Sequence, residues 1–490
     1  MQGRMRMTPS LRKELWRTPD LLGFAAHWTW IWCVFWSSLF YAEGTLLNSS
    51  GSTGAAAGLS TIALEPLWVT SLLANVVTIA FLLLLSYLRN PLSDVRCLPA
   101  LAAALTALGT LAISHPSLVM TGGGASTVYL AGSLLTGVGS GIVVVLWAEL
   151  LASLGSQRTV NYSVAALLLA AVAYLVISLL PIDAAQMIVA LLPLISMGCF
   201  VHFKRSVPRP PRAMRNVRVR AVPPMRMMVI AVFFGVSFGV MKGLIAPVGD
   251  EWIGVRDQLN IIAIAGGALA AFVAMGVCKM DFDHLTYQIA LPLMAAGFLF
   301  LPMHEPWNVI GTAVHQFGYQ YFYIVLWALW PVLASRGSVP TGWVVGWGLL
   351  CIQLGQFAGS VAAAIALTFV QSDLGLAMVS AGVIFAILII ALFAMGSGSA
   401  NTGWGFVKPM EEADAASDFE KAGTRLARRC RLSPREIEVF FLLAKGRNRA
   451  YIREELVIGD ETVKSHIKSI YRKADVHSQQ ELIDLVETYE

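Results

Sequence analysis

Apolar segments of about 20 residues recur along most of this chain, and they constrain its fold more than any other feature. The hydrocarbon core of a bilayer is about 30 Å thick, and a helix of about 20 apolar residues spans it. Of the 490 residues, 57% are apolar and 13% are charged, whereas a soluble chain is about 25% charged. The sequence therefore predicts an all-α, polytopic membrane protein.

The apolar segments number twelve and fall into two groups of six. They begin near Leu21, Leu67, Cys97, Val128, Tyr162, Ala184, Met227, Leu259, Tyr287, Val309, Trp343 and Leu376. A loop at 202–226, with eight Lys or Arg and no acidic residue, separates the two groups. We predict a short tail at 1–20 and a twelve-helix bundle, six plus six, at 21–395. The loop is interpreted as a topology determinant and linker whose charge suits anionic lipid headgroups.

The distribution of Lys and Arg predicts how the bundle is oriented. Loops rich in Lys and Arg stay in the cytoplasm. If the N-terminus is inside, the tail and the inside loops carry eighteen of these residues, and the outside loops carry one, Arg256. We therefore expect a bacterial inner-membrane protein that contacts the lipid bilayer and has both termini in the cytosol.

The end of the chain has a different composition. The last 95 residues, from Gly396, hold 15 Lys or Arg and 16 Asp or Glu, while the 395 residues before them hold 20 and 14. This predicts a linker at 396–431 and a small domain at 432–490. Ser433 with Glu436, and Ser478 with Glu481, have the spacing of a capping box, in which each side chain bonds a free backbone N–H at a helix start.

Four short helices are predicted in this domain. The first begins at the Ser433 capping box and ends at Gly446, and the others cover about Ala450–Val457, about Asp460–Lys473 and the residues after Ser478. The third has an apolar face and an opposite face that carries Lys and Arg. Such a face is often only solvated, but this order of helices fits a helix-turn-helix, whose third helix enters the major groove of DNA.

The residues of this domain closely resemble the LuxR-type DNA-binding domain. The matching positions are Leu432-Ser-Pro-Arg-Glu, Gly446, Ile452, Leu456, Thr462-Val-Lys-Ser-His-Ile467, Lys473 and Val476-His-Ser478. The resemblance implies double-stranded DNA as a partner. Lys464, Ser465 and Lys468 would then read base edges, and Thr462 and Arg472 would contact phosphates.

The resemblance also implies a homodimer on DNA, formed through Val476 and the fourth helix. Two positions depart from the family. Gly459 stands where a capping Ser is usual, with Asp460 as a substitute cap, and Arg453 stands where many relatives have Ala. A sigma-factor-type domain shares this helix geometry and remains an alternative.

The twelve spans, divided by a long basic loop, resemble the major facilitator superfamily. In that family the loop between the second and third spans usually reads Gly-x-x-x-Asp-x-x-Gly-Arg-Arg. Here Ser86–Cys97 contains Asp94 with Arg89 and Arg96 but not the glycines. This departure bears on transport activity and not on the fold.

Aromatic and polar residues within the spans predict a pocket for a small, flat or amphipathic ligand. The candidates are Trp28, Trp32, Trp36, Lys242, Gln316, Tyr319, Tyr323 and Gln353. The alternative is an interfacial aromatic belt with ordinary helix packing. Two ionisable residues lie inside spans, Glu149 and Lys242, and such residues are functional candidates by default.

Catalytic and metal-binding motifs do not occur in the sequence. There is no Gly-x-Ser-x-Gly, no HExxH and no phosphate-binding glycine loop, and the six cysteines are scattered singly. We expect neither an enzyme nor a cofactor or metal site. The preferred hypothesis is a membrane-bound regulator whose twelve spans sense a small molecule. The alternatives are a transporter with an accessory DNA-binding domain and a plain membrane anchor.

Overall fold

In a computed structural model of the protein, all regular elements of the described residues are helical. The residues described are 19–37, 66–88, 91–116, 123–206, 225–244, 250–282, 284–337, 341–369, 373–396, 422–423, 425–427, 429–444, 446–456 and 458–488. Most of the predicted tail at 1–20, basic loop at 202–226 and linker at 396–431 lies outside these residues. The chain forms two compact units, called here the membrane unit (19–396) and the C-terminal unit (422–488).

Twelve long helices make up the described part of the membrane unit. They are α1 (Pro19–Phe35), α2 (Pro66–Leu88), α3 (Leu98–Ser114), α4 (Gly123–Ala152), α5 (Ser156–Ser178), α6 (Ile182–Ser206), α7 (Met225–Leu244), α8 (Asp250–Gly276), α9 (His284–Ala290 as a π-helix, then Leu291–Phe300), α10 (Trp307–Gly337), α11 (Thr341–Phe369) and α12 (Asp373–Gly396). A short 3₁₀ helix, Leu92–Asp94, lies between α2 and α3.

Each helix corresponds to one predicted span. The starts agree within six residues except for α8, which begins at Asp250, nine residues before the predicted Leu259. The first turns of α8 contain Asp250, Glu251, Arg256 and Asp257, and these charged residues fall outside an apolar segment although they are helical.

Hydropathy agrees with a membrane location. Within the described residues, seven helices are long and apolar enough to cross a membrane, and four further apolar helices are shorter. The remaining helix, α10, has 31 residues and buries the polar His315, Gln316 and Gln320. Large apolar side chains such as Leu84 and Ile262 are exposed on the outside of the bundle, where the hydrocarbon of lipid is their natural solvent.

The C-terminal unit contains the four predicted short helices. They are α13 (Pro434–Ala444), α14 (Arg449–Leu456), α15 (Asp460–Ala474) and α16 (Gln479–Thr488). Helix α13 packs on α15 and α16, and α14 packs on α15. Gly446, with φ 74°, lets the chain reverse after α13, because a left-handed residue at a helix end favours glycine.

Residues before the predicted domain boundary also belong to its core. Ala422, Leu426 and Ala427 are helical and fully or almost fully buried against the C-terminal unit. A Cβ atom at Gly423 would lie 2.6 Å from the Phe441 ring. The interval predicted as linker, 396–431, therefore ends in residues that pack with the domain.

The two halves of the membrane unit repeat one packing pattern. In the first half α2 and α3 pack on α4, α3 packs on α6, and α1 packs on α5. The second half has the same four pairs with each helix number raised by six: α8 and α9 on α10, α9 on α12, and α7 on α11. The two halves contact each other through α2 with α11 and through α5 with α8. The repeat relates α2 to α8 and α5 to α11, so these two contacts are equivalent.

The closest helix pair, α7 with α11, is built on glycines. A Cβ atom at Gly235 or Gly239 of α7 would overlap the backbone of α11, and one at Gly355 or Gly359 of α11 would overlap the backbone of α7. Small residues let membrane helices approach closely, and van der Waals contact then stabilises the pair. This contact needs the glycines at all four positions.

We expect Gly239→Ala to lower the thermal stability of the purified full-length protein. The added methyl group would overlap the Gln356 carbonyl of the neighbouring backbone, and overpacking of this kind costs about 1–3 kcal/mol. Gly382→Ala on α12 is the matched control, since nothing lies within 4 Å of its added Cβ. Equal melting temperatures of the two variants in detergent would contradict this account of the helix pair.

Candidate functional site

Helix α15 presents one apolar and one polar face. Val463 and Ile470 are fully buried and attach the helix to the core. The five residues predicted to contact DNA are all exposed and lie on the other side: Thr462, Lys464, Ser465, Lys468 and Arg472. Positions 461, 464, 465, 468 and 472 share one face of a helix with 3.6 residues per turn. The sequence thus supplies a continuous polar surface, and its contact with DNA remains a prediction.

Backbone groups of Gly459 cap the start of α15. Gly459 is extended, with φ −65° and ψ 152°, and its carbonyl accepts the N–H groups of Thr462 at 3.0 Å and Val463 at 3.1 Å. Asp460, expected as a substitute cap, instead forms an ion pair with Arg449 at 3.1 Å. This pair joins the first turns of α14 and α15.

Glu436 joins the start of α13 to the last turns of α15. Its carboxylate accepts hydrogen bonds from the backbone N–H of Ser433 at 2.7 Å, the Ser469 hydroxyl at 2.6 Å and the Lys473 ammonium at 2.6 Å. Burial alone would raise the pKa of Glu436, but these bonds outweigh it and lower the pKa to about 2. The predicted capping box is therefore present, and the same carboxylate also fixes the helix that carries the polar face.

The predicted dimer surface is partly inside the domain. Val476 is only 7% exposed and lies in the core together with Leu482 and Val486 of α16. The expectation that Val476 itself forms the dimer surface is wrong, because its side chain stabilises the monomer fold. A dimer through this region would use the outer residues of α16.

Seven of the eight predicted ligand-pocket residues surround one cavity of about 110 Å³ in the membrane unit: Trp28, Trp32, Trp36, Gln316, Tyr319, Tyr323 and Gln353. The cavity lies between α1, α2 and α4 of the first half and α7, α10 and α11 of the second half. An engineered cavity of about 150 Å³ binds benzene, and because this cavity is smaller it holds a molecule of one ring at most.

The eighth residue, Lys242, lies beside a smaller adjoining cavity that Trp36 and Gln316 also line. Its ammonium donates to the Phe35 carbonyl at 3.1 Å and lies 4.7 Å from the Trp36 ring centre and 5.7 Å from that of Trp68. Lys242 is thus not among the residues that line the larger cavity, and its contact with a ligand stays a prediction.

Sequence reasoning missed further residues that line the cavity: His27, Trp30, Trp68, Asn75 and Gln320. A signal existed in the sequence, since Gln316 with Gln320 is an i, i+4 pair that extends the polar face of α10. The position of Asn75 in α2 gave no such signal, as it is a single amide in an apolar helix.

An aromatic cluster lies at the end of the cavity nearer the start of α1. The Phe24 ring is 5.4 Å from that of Trp147 in α4 and 5.3 Å from that of Trp327 in α10. Trp147 and Trp327 are almost fully buried. These rings join the two halves by apolar contact.

Glu149, the other ionisable residue predicted inside a span, is 3% exposed and has a structural role. Its two carboxylate oxygens accept the backbone N–H groups of Leu92 at 3.1 Å and Ser93 at 2.9 Å. The adjacent Asp94 forms an ion pair with Lys204 of α6 at 3.0 Å. Among the described residues, no cluster of three or more His, Cys, Asp or Glu is placed to hold a metal ion.

The C-terminal unit matches a known family over most of its length. Residues 431–486 match the family described as bacterial regulatory proteins, luxR family. Over 60 residues the chain is 37% identical to the HTH-type transcriptional activator RamA of Corynebacterium glutamicum, which covers 12% of this chain and 21% of RamA. The chain thus spans about a fifth of this curated relative, and the C-terminal unit is a LuxR-type helix-turn-helix domain.

The membrane unit has the fold of solved transporters. The human organic anion transporter MFSD10 (TETRAN) is 16% identical with a TM-score of 0.51, over 76% of this chain and 98% of that protein. A bacterial homologue of the iron transporter ferroportin, in an outward-facing state, is 12% identical with a TM-score of 0.52, over 77% and 98%. At such identities the likeness concerns the fold alone.

We expect Glu436→Gln to destabilise a fragment of residues 410–490, which contains the C-terminal unit, by about 1–3 kcal/mol at neutral pH. This is the scale of hydrogen bonds to a charged group. Because folding lowers the pKa of Glu436 from 4.5 to about 2, its contribution is complete above pH 4.5 and disappears as the pH falls through 2. Urea unfolding at several pH values measures both effects.

Glu438→Gln is the control for this experiment. Glu438 lies on the same helix, is 51% exposed and contacts Arg435, so its loss should change stability little. The proposed role of this carboxylate is excluded if the stabilities of Glu436→Gln and wild type change equally with pH between 4.5 and 2.

Proposed function

We propose that this chain, a LuxR-type helix-turn-helix domain joined to a membrane unit of the major facilitator fold, is a membrane-bound, one-component transcriptional regulator. A small molecule in the membrane-unit cavity would change the ability of the C-terminal unit to bind DNA. The proposal rests on two features that one chain combines: an exposed helix face that bears Lys and Arg and a cavity with aromatic walls.

The polar face of α15 supports sequence-specific binding to double-stranded DNA. Lys464, Ser465 and Lys468 lie toward the first half and middle of the helix, the part of a recognition helix that reaches base edges. Thr462 lies in the first turn of α15 and Arg472 in its last turns, and contact with phosphates at such positions fixes the orientation of a domain on DNA. A homodimer through the C-terminal unit would contact two half-sites.

The location follows from the charge distribution of the loops. Eighteen Lys or Arg in the tail and alternate loops, against one in the others, assign both termini to the cytosol of a bacterium. The C-terminal unit then shares a compartment with DNA. The matching families are DNA-binding regulators and transporters, and we assign no enzymatic reaction to the chain.

A transporter with an accessory DNA-binding domain is the second candidate, and the likeness to transporter folds favours it. Coupled transporters use ionisable groups within the membrane, but Glu149 here binds a backbone turn and Lys242 lies outside the main cavity. Uptake or efflux by proteoliposomes that is lost in Lys242→Ala would support transport. If residues 421–490 alone kept full ligand regulation, the membrane unit would serve only as an anchor.

We expect Lys468→Ala to relax sequence preference on DNA. If the ammonium reads a base edge, its loss costs about 1–3 kcal/mol on the specific site and much less on random DNA. Arg472→Ala is the matched comparison, because loss of a phosphate contact weakens both DNAs alike. Binding titrations of the C-terminal unit measure this, with half-sites about one helical turn apart. Equal loss on both DNAs for Lys468→Ala would make it a phosphate contact.

We expect an effector that alters DNA binding to change the tryptophan fluorescence of the full-length protein. All 14 tryptophans lie at or before Trp404, so the signal comes from outside the DNA-binding domain. Trp32→Phe and Tyr319→Phe should diminish the change because both residues line the cavity.

Trp307→Phe, which removes an exposed indole away from the cavity, should preserve the fluorescence change. The opposite outcome is an effector that alters DNA binding by the isolated C-terminal unit and leaves the full-length fluorescence unchanged. Sensing by the membrane unit would then be excluded.

A further inference from the structure

Several buried polar atoms on the wall of the cavity have no hydrogen-bond partner among the residues that the structure describes. They are His27 Nε2, Trp28 Nε1, Asn75 Oδ1, Gln320 Nε2 and Gln353 Oε1. His27, Asn75 and Gln320 are each less than 8% exposed. Native proteins satisfy the large majority of buried polar atoms, so each exception calls for an explanation. Five exceptions around a single cavity point to groups that a bound molecule would satisfy.

The chemistry of these atoms specifies what the molecule must offer. The indole N–H of Trp28 can only donate, so the molecule needs an acceptor. Asn75 Oδ1 and Gln353 Oε1 are acceptors and need a donor, since Asn75 Nδ2 already donates to Ser140 Oγ at 3.0 Å. Gln320 Nε2 is a donor and needs an acceptor. A molecule with a hydrogen-bond acceptor and a donor on one edge can therefore pair with these polar atoms of the cavity wall.

Aromatic rings enclose the same space. The Trp28 and Tyr323 ring centres are 5.6 Å apart at 89°, and those of Phe238 and Tyr319 are 4.2 Å apart at 39°. Aromatic walls favour a flat, unsaturated molecule through offset and edge-to-face contacts. The cavity volume of about 110 Å³ limits the molecule to about one ring.

The described lining residues include no Asp, Glu, Lys or Arg. A charged molecule would lose its hydration there without a counter-ion, which is strongly unfavourable. Lys242 lines the adjoining cavity, where its ammonium bonds the Phe35 carbonyl and lies against the Trp36 and Trp68 rings. The side chains that line the cavity itself therefore favour an uncharged molecule.

The unpaired atoms belong to both halves of the bundle. His27 and Trp28 are on α1 and Asn75 is on α2, whereas Gln320 is on α10 and Gln353 is on α11. One molecule that bonds atoms of both sets joins the halves directly. It thereby stabilises the arrangement in which the halves are close, and a ligand shifts an equilibrium only by such differential contacts.

We propose that the ligand of this cavity is an uncharged, single-ring aromatic molecule that carries a hydrogen-bond acceptor and donor on one edge. It accepts from Trp28 and bridges the first-half Asn75 to the second-half amides. Its recognition is independent of ionic strength.

Four one-ring probes that differ in one property each test this proposal: benzamide, benzoate, benzylamine and toluene. Each radiolabelled probe is dialysed at equilibrium against the full-length protein in nanodiscs, with protein-free nanodiscs as the baseline. We expect saturable binding of benzamide alone, unchanged by added salt. Binding of benzoate, benzylamine or toluene as tight as that of benzamide, or no saturable benzamide binding, overturns the proposal.

Two variants, one in each half, locate the bound probe. Trp28→Phe keeps the ring and removes the N–H, and Gln353→Met keeps the length and removes the amide. Each should weaken benzamide binding about tenfold, the effect of one lost hydrogen bond. Trp347→Phe is the control, since its indole nitrogen is also unpaired but lies outside the cavity wall. Unchanged affinity in both Trp28→Phe and Gln353→Met overturns the assignment.

This inference rests on the proposed sensing function, and dialysis keeps the two separate because it needs no DNA. Operator binding by the same nanodiscs is then measured with and without benzamide. Saturable benzamide binding without any change in operator binding overturns sensing and leaves the ligand class intact. Regulation by another molecule, with no benzamide bound, overturns the ligand class and leaves sensing intact.

Discussion

The membrane unit depends on one constraint, that hydrocarbon offers no hydrogen bonds and polar groups must find partners inside the protein. The hydroxyl of Thr78 turns back to the Ala74 carbonyl at 2.7 Å. Other side chains pair between helices: Trp30 of α1 donates to Thr110 of α3 at 2.9 Å, and Trp147 of α4 to Ser196 of α6 at 3.1 Å. Many polar side chains of the first half are thus paired inside the protein, whereas five polar atoms on the cavity wall lack a partner among the described residues.

The apolar lipid around the membrane unit also explains why its helices pack closely. Lipid is as apolar as leucine, so burial of apolar surface drives helix association weakly, and contact between backbones must supply the attraction. The glycines of α7 and α11 permit that contact. In the C-terminal unit, which water surrounds, an apolar core supplies the attraction, and charged Glu436 fixes the geometry of the helices around it.

The sequence predicted the helices of both units well because one-dimensional signals govern them. The lengths of the apolar segments predicted the membrane helices, and the capping boxes at Ser433 and Ser478 predicted where α13 and α16 begin. The start of α8 at Asp250 was missed because charges in its first turns conceal a helix from a hydropathy argument. Periodicity also predicted which residues share one face of a helix, such as Gln316 and Tyr319.

Contacts between distant segments could not be predicted in this way. Lys242 lies at the rings of Trp36 and Trp68, a placement that depends on how α7 crosses α1 and α2. Val476 has the position of a surface residue in the sequence, yet it closes the core beneath α16. Asn75 lines the cavity because α2 turns that face inward. Each outcome depends on the angle between helices, which local periodicity does not encode.

The bonds of Glu149 have a mechanical consequence. Its carboxylate holds the turn between α2 and α3, and the next residue of that turn, Asp94, holds Lys204 at the end of α6. The carboxylate and the ion pair thereby connect α4, the turn between α2 and α3, and α6 at one end of the first half. A displacement of α4 at this end is passed through that turn to α6.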